Sequence, residues 1–109
     1  MVSYFVRYRG SPADPERFHT YYETRHADIL RQFPAIRSLI LHRPAEWSDP
    51  FPVRPGNTCL LAQMVFATPG DLETALRSPA RSLARDDSHR FSPFDGEVTH
   101  EAMHGKVIF

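Results

Sequence analysis

Residues 14–33 read DPERFHTYYETRHADILRQF, the longest run in the chain with one consistent period. Stepping about 100° per residue from Phe18, the side chains of Ile29, Tyr22, Phe33, His26, His19 and Leu30 fall within about 120°. Glu16, Arg17, Glu23, Thr24, Asp28 and Arg31 fall outside that arc. The spacing predicts one amphipathic helix. Asp14 suits its N-cap, because the carboxylate accepts from a free backbone N–H. Pro15 suits the first turn, where a missing N–H costs nothing. Pro34 ends the run by pushing Phe33 out of helical geometry. The apolar stripe is unusual in carrying two imidazoles and a phenol. Either His19, Tyr22 and His26 are hydrogen-bonded core residues, or the stripe faces a partly polar pocket.

Working outward, residues 2–9 alternate as a strand with Val2, Tyr4, Val6 and Tyr8 on one face, and Gly10-Ser11-Pro12 breaks it. Residues 36–42 form a second strand, apolar on both faces. Residues 43–58 hold Pro44, Pro50, Pro52 and Pro55 and preclude a regular element. A loop of this length in a small domain usually has a job, and its Trp47 and Phe51 need something to cover. Residues 59–67, CLLAQMVFA, form a third strand buried on both faces, in which the Gln63 amide needs a partner. Thr68 caps a short helix. Pro79, after a Ser78 cap, starts another that runs to about Asp87 and buries Leu83 and Ala84. Residues 88–96 are loop, and a last strand runs from Val98 to Phe109, bent at Gly105. The order strand, helix, strand, strand, helix, strand is the ferredoxin-like α+β unit, βαββαβ, with a four-stranded antiparallel sheet. Helices cover one face, and the strands are too apolar to leave the other wet. A second copy, sheet against sheet, is the expected cover, so a homodimer is predicted.

Bulk properties narrow the function classes. A chain of 109 residues is expected to be one domain, 1–109. Thirteen basic and thirteen acidic residues cancel, with no basic stripe for nucleic acid. Cys59 is alone, which rules out an intramolecular disulfide and a Cys-rich metal site. The N-terminus is not a secretion signal and no apolar run is long enough to span a membrane, so a reduced cytoplasmic setting is the default expectation. No Gly-rich phosphate loop is present, and neither a cofactor nor a metal is expected.

His100-Glu101-Ala102-Met103-His104 matches the zinc-protease pattern, whose chemistry needs a helix. Val98-Thr99 before it and Gly105 after it favour a strand. His100 and His104 would then lie on one face but roughly 13 Å apart, too far to share a zinc ion. Which sheet face they occupy stays open.

The run Phe18-His19-x-Tyr21-Tyr22-x-x-x-His26, followed by Pro34-Ala35-Ile36-Arg37, resembles the signature of the EthD-like family of dimeric α/β barrels. The likeness continues through Gln63-Met64-Val65-Phe66, Leu72 to Leu76, Ser78-Pro79, Asp86 and Phe91. It implies two sheets facing each other across a dimer and a small-molecule pocket between each sheet and its own helices. The family's histidine corresponds to His26, its hydrophobic anchor to Phe18 and its aromatic pair to Tyr21-Tyr22. Many relatives carry Glu in place of Gln63 and Trp in place of Val65, which weakens a transfer of acid–base chemistry to that strand. Related barrels include lactone isomerases, aromatic polyketide cyclases, cofactor-free monooxygenases and haem-binding proteins.

Three functions follow as expectations. In the first, the protein is an enzyme on a small apolar or aromatic molecule. His26 is the general acid–base and Tyr22 orients the substrate; Phe18, His19, Phe33, His42 and Gln63 bind it. Isomerisation, cyclisation or lactone chemistry would need little more. In the second, the same pocket belongs to a ligand-binding accessory protein without turnover. In the third, a histidine holds haem. Arg7, Arg9 and Arg43 are candidates for holding a substrate carboxylate, and His89 is expected to be a solvated loop residue.

Overall fold

The computed structural model describes residues 1–109. Strand β1, Val2–Pro12, lies at the centre of a four-stranded sheet of order β2-β3-β1-β4, where β2 is Ser38–His42, β3 is Thr58–Phe66 and β4 is Phe94–His104. β1 pairs antiparallel with both neighbours, and β2 antiparallel with β3. The helices α1 (Pro15–Tyr21), α2 (Ala27–Leu30), α3 (Pro69–Leu76) and α4 (Pro79–Asp87) complete the α+β, ferredoxin-like order expected from the sequence. No helix is long and apolar enough to cross a membrane.

The strand alternation places Val2, Tyr4, Val6 and Tyr8 of β1, and Leu60, Ala62, Met64 and Phe66 of β3, in one buried cluster with Phe18, Tyr22, Leu30 and Phe33. The reverse face carries Phe5, Arg7, Leu61, Gln63 and Val65, all half-buried. No element of the chain packs over it.

The long helix is not continuous. α1 and α2 are joined by a π turn, Tyr22–His26, in which the Ala27 N–H reaches back to the Tyr22 carbonyl. In an unbroken α-helix, residues spaced by four drift about 40° per step around the axis. The wider turn absorbs part of that drift. Phe18, Tyr22, His26 and Leu30 therefore all stay buried on one side. α2 ends at Leu30 and residues 31–33 form a turn, so Phe33 is buried from outside the helix. Ala35 then takes φ 61°, and β2 starts at Ser38 rather than Ile36.

Several boundaries differ from expectation. β1 continues through Gly10 to Pro12, because Gly10 (φ 126°) pairs with Gly96 (φ 155°). A Cβ on Gly10 would collide with the Asp95 carbonyl, and one on Gly96 with the Arg9 carbonyl. This close pairing starts β4 at Phe94 instead of Val98. β4 ends at His104, and the Gly105 N–H bonds to the Met1 carbonyl at 3.0 Å. Val107, Ile108 and Phe109 are exposed. Thr68 does cap α3, accepting from the Asp71 N–H at 3.1 Å. Ser78 is not a side-chain cap: its hydroxyl donates to the Ala75 carbonyl at 2.6 Å, closing α3 instead. Leu83 is exposed rather than buried, because α4 turns Ala80, Ala84 and Asp87 inward. Residues 43–57 lack helix and strand, and Trp47 and Phe51 stand exposed.

Candidate functional site

A cavity of about 540 Å³ opens between the helix-covered face of the sheet, the α1–α2 segment and α4. That volume lies within the range of small-molecule sites. β1 contributes Tyr4, Val6 and Tyr8 to its floor; the π turn contributes Tyr22 and His26; the segment after α4 contributes Phe91, and the start of β4 contributes Phe94. One end is strongly aromatic. The Tyr8 ring meets Phe18 at 5.4 Å, Tyr22 at 5.9 Å and Phe94 at 5.6 Å, all edge to face. Such pairs are held by ring quadrupoles as well as by burial.

His26 is 5% exposed, and its ring is packed against Tyr22 at 4.6 Å and Phe91 at 4.8 Å. Its Nδ1 lies 2.9 Å from Oδ2 of Asp87. Asp87 is itself buried and accepts at Oδ1 from the Tyr21 hydroxyl at 2.7 Å, with the Arg90 guanidinium 3.7 Å away. Burial alone would raise the Asp87 carboxyl. The hydrogen bonds from Tyr21 and His26, with the neighbouring positive charge, outweigh it and hold the group below its usual value. Asp87 is therefore an anion at neutral pH and can only accept. The His26 pKa is lowered by burial, against which the Asp87 bond and charge pull upward. A neutral imidazole facing a carboxylate through Nδ1 must carry its proton there. That leaves the Nε2 lone pair without a partner in the protein, on a residue that lines the cavity. Burial raises Tyr8 to about 12 and Tyr22 well above its ordinary value, so both stay phenols.

The other expected site residues divide. Phe18 and Phe33 line the cavity with Tyr22 and His26. His19 is buried but does not line it; its Nδ1 has no partner, and burial followed by the Arg43 charge keeps the ring neutral. The structure does not bring His42 and Gln63 to the cavity. Register places Gln63 opposite Phe5 and Ile40, on the reverse face, while Met64 and Ala62 point to the helices. Gln63 finds its partners there: its Oε1 lies 3.1 Å from His42 Nε2, and its Nε2 donates to Ser3 Oγ at 3.2 Å. Arg7 donates to Thr58 at 2.7 Å, and Arg9 and Arg43 face carboxylates. His89 is exposed, at the cavity rim.

The open face of the H-E-x-x-H segment is now fixed. His100 pairs with Val6 and His104 with Val2, so both side chains lie on the helix side, in a strand. His100 lines the cavity, its Nδ1 2.8 Å from the Tyr4 hydroxyl. Tyr4, Tyr8, Asp87, Arg81 and Arg85 went unassigned from sequence, while Tyr21 entered only through the aromatic pair that the resemblance implies and His100 only through the H-E-x-x-H pattern. Asp87 left one usable signal: it stands at i, i+4, i+7 with Ala80 and Ala84, on the inward stripe of α4.

No curated protein sequence matches the chain. Among solved structures, an ethyl tert-butyl ether degradation (EthD) family protein from Bacillus halodurans is 20% identical at TM-score 0.76, covering 97% of this chain and 99% of that one. SnoaB, a cofactor-independent oxygenase from Streptomyces nogalater, is 15% identical at TM-score 0.65, covering 97% of this chain and 93% of its own. An EthD-like protein from Ralstonia eutropha is 13% identical at TM-score 0.66, covering 92% and 88%. These likenesses bear out the ferredoxin-like α+β fold expected from the sequence. The family profile described as the EthD domain matches residues 11–95, most of the chain. The chain belongs to the EthD family.

Proposed function

We propose that the protein is a cofactor-free acid–base enzyme acting on a small aromatic molecule, with His26 as the general base. One observation carries this: a buried His–Asp pair whose free imidazole nitrogen belongs to a ring lining an aromatic cavity. Nε2 takes a proton from a carbon next to a carbonyl, and the electron pair moves onto the carbonyl oxygen as an enolate. The imidazolium so formed is stabilised by Asp87, which also holds the ring in the productive tautomer. Tyr22, kept protonated by burial, donates a hydrogen bond to the enolate oxygen. Return of the proton to the γ-carbon of a conjugated enolate completes an isomerisation; attack of the enolate carbon on a second carbonyl of the same molecule, whose oxygen takes the proton back from the imidazolium, is a cyclisation. SnoaB is a cofactor-independent oxygenase, and substrate deprotonation would also open that chemistry.

The functional unit is a homodimer, its two copies meeting through the reverse sheet face. The half-buried Phe5, Leu61 and Val65 on that face support this. The alternative is an accessory protein that binds the same ligand without turnover.

Deuterium exchange of the acidic methylene of β-tetralone, followed by NMR in D₂O, separates the two. The enzyme should accelerate exchange, and His26→Gln should lower the rate by about two orders of magnitude. Equal rates with wild type and His26→Gln would remove His26 from catalysis and leave the accessory reading.

A further inference from the structure

The cavity has two chemically different ends. Tyr8, with Phe18, Tyr22 and Phe94, makes the aromatic end. Tyr4 lies four residues away on the same strand face, roughly 13 Å along it. Around Tyr4 the lining changes to His100, Arg81 and Arg85. Arg81 and Arg85 sit one turn apart on α4, so both guanidinium stems project from one side of the helix. The Arg81 guanidinium carbon stands 5.8 Å from the Tyr4 ring centroid, a cation–π arrangement that orients it. His100 is bonded to the same tyrosine. The two arginines also act on it electrostatically: burial first, then Arg81 and Arg85, favour its neutral form.

What sets this end apart is where its unpaired cations stand. Four of the twelve arginines, Arg9, Arg43, Arg77 and Arg90, lie within 4 Å of a carboxylate; of the eight that do not, Arg81 and Arg85 are the two that line the cavity. Arg81 and Arg85 make no ion pair, and no Asp or Glu is among the residues lining the cavity. Two unpaired guanidiniums at the margin of an apolar cavity leave a forked donor set with nothing to receive it.

We infer that Arg81 and Arg85 form an anion subsite, with Tyr4 and His100 beside it, and that the substrate is an aromatic carboxylic acid. Its ring system lies against Tyr8, Phe18 and Phe94, and its carboxylate reaches α4. This rests on the cavity proposed above as the substrate site and adds the substrate's charge to it. It also moves carboxylate recognition away from Arg7, Arg9 and Arg43, whose donors are engaged elsewhere.

The probes are a fluorescent anthracene carboxylic acid and its neutral carboxamide, titrated against the full-length protein at neutral pH. Wild type should bind the acid roughly tenfold more tightly than the amide, with a preference that shrinks as salt is added. The double variant Arg81→Gln/Arg85→Gln should lose that preference while keeping its affinity for the amide, which also reports that the cavity is folded. Arg81→Lys/Arg85→Lys should recover part of it. Acid and amide binding wild type alike would overturn the anion subsite and leave the aromatic cavity standing. A preference that survives in the double Gln variant would overturn it too. Binding of neither probe would overturn both the subsite and the cavity. His26→Gln should keep the preference for the acid, so a failure of the general-base role reads out separately, in β-tetralone exchange.

Discussion

The two faces of the sheet are built from the same strands, residue by residue in alternation, yet they are different environments. On the helix side Tyr4, Val6, Tyr8, Ala62 and Met64 are buried, and Tyr4, Val6, Tyr8 and Met64 floor the cavity. On the reverse side Ser3, Gln63 and His42 form a hydrogen-bonded row across three strands, among the half-buried Phe5, Leu61 and Val65. Polar groups occur on both. On the helix side the polar pair is dry, far apart in sequence and left with one open nitrogen. On the reverse side the polar groups satisfy one another. A closed row suits a surface that must fit another surface. An unfinished one suits a surface that must do chemistry.

The largest effect should come from the helix side. Phe18 is fully buried between Tyr8, Phe91 and Phe94, so Phe18→Ala should cost about 3–5 kcal/mol in urea unfolding. A loss below about 1 kcal/mol would mean that the aromatic end is loosely packed. On the reverse face, Leu61→Asp should leave the fold intact and weaken self-association at least about tenfold, read by sedimentation velocity. Unchanged sedimentation would move the proposed dimer contact elsewhere.

A third test concerns protons. Burial lowers His26 and His19 below 6.5 in the folded chain. Just below that value the unfolded chain holds more protons than the folded one, so stability rises with pH. Denaturation midpoints should therefore fall as pH drops through and below 6.5. A flat profile would contradict the burial of the two rings. Asp87→Asn removes the negative charge that pulls His26 upward and weakens the bond beside it, so the NMR titration midpoint of His26 should drop further. A rise would show that the pair is not formed. The smallest effect belongs to His42, an exposed residue on the reverse face: His42→Ala should change stability by no more than about 0.5 kcal/mol and leave probe binding unaltered. Loss of binding would erase the distinction between the faces.

Much of this architecture was legible in the chain itself. Asp14 and Thr68 act as caps and β1 alternates, because each is set by neighbours a few residues away; the helix stops at Leu30, short of the Pro34 boundary that the sequence marks. The buried stripe Phe18, Tyr22, His26 and Leu30 followed from periodicity, although the π turn that keeps it aligned did not. Gln63 shows where such inference ends. A strand's period of two reveals which residues share a face. When CLLAQMVFA is apolar on both faces, it does not reveal which face the helices cover. His26 as a singular residue could be read from its place on an apolar stripe. Its partner could not, because Asp87 is 61 positions away and only the packing of α4 against the π turn joins them. The order of elements, the caps and the inward histidine belonged to local sequence. The choice of face, the His26–Asp87 pair and the unpaired arginines were decided by tertiary structure, since each depends on contacts between segments that no short-range pattern records.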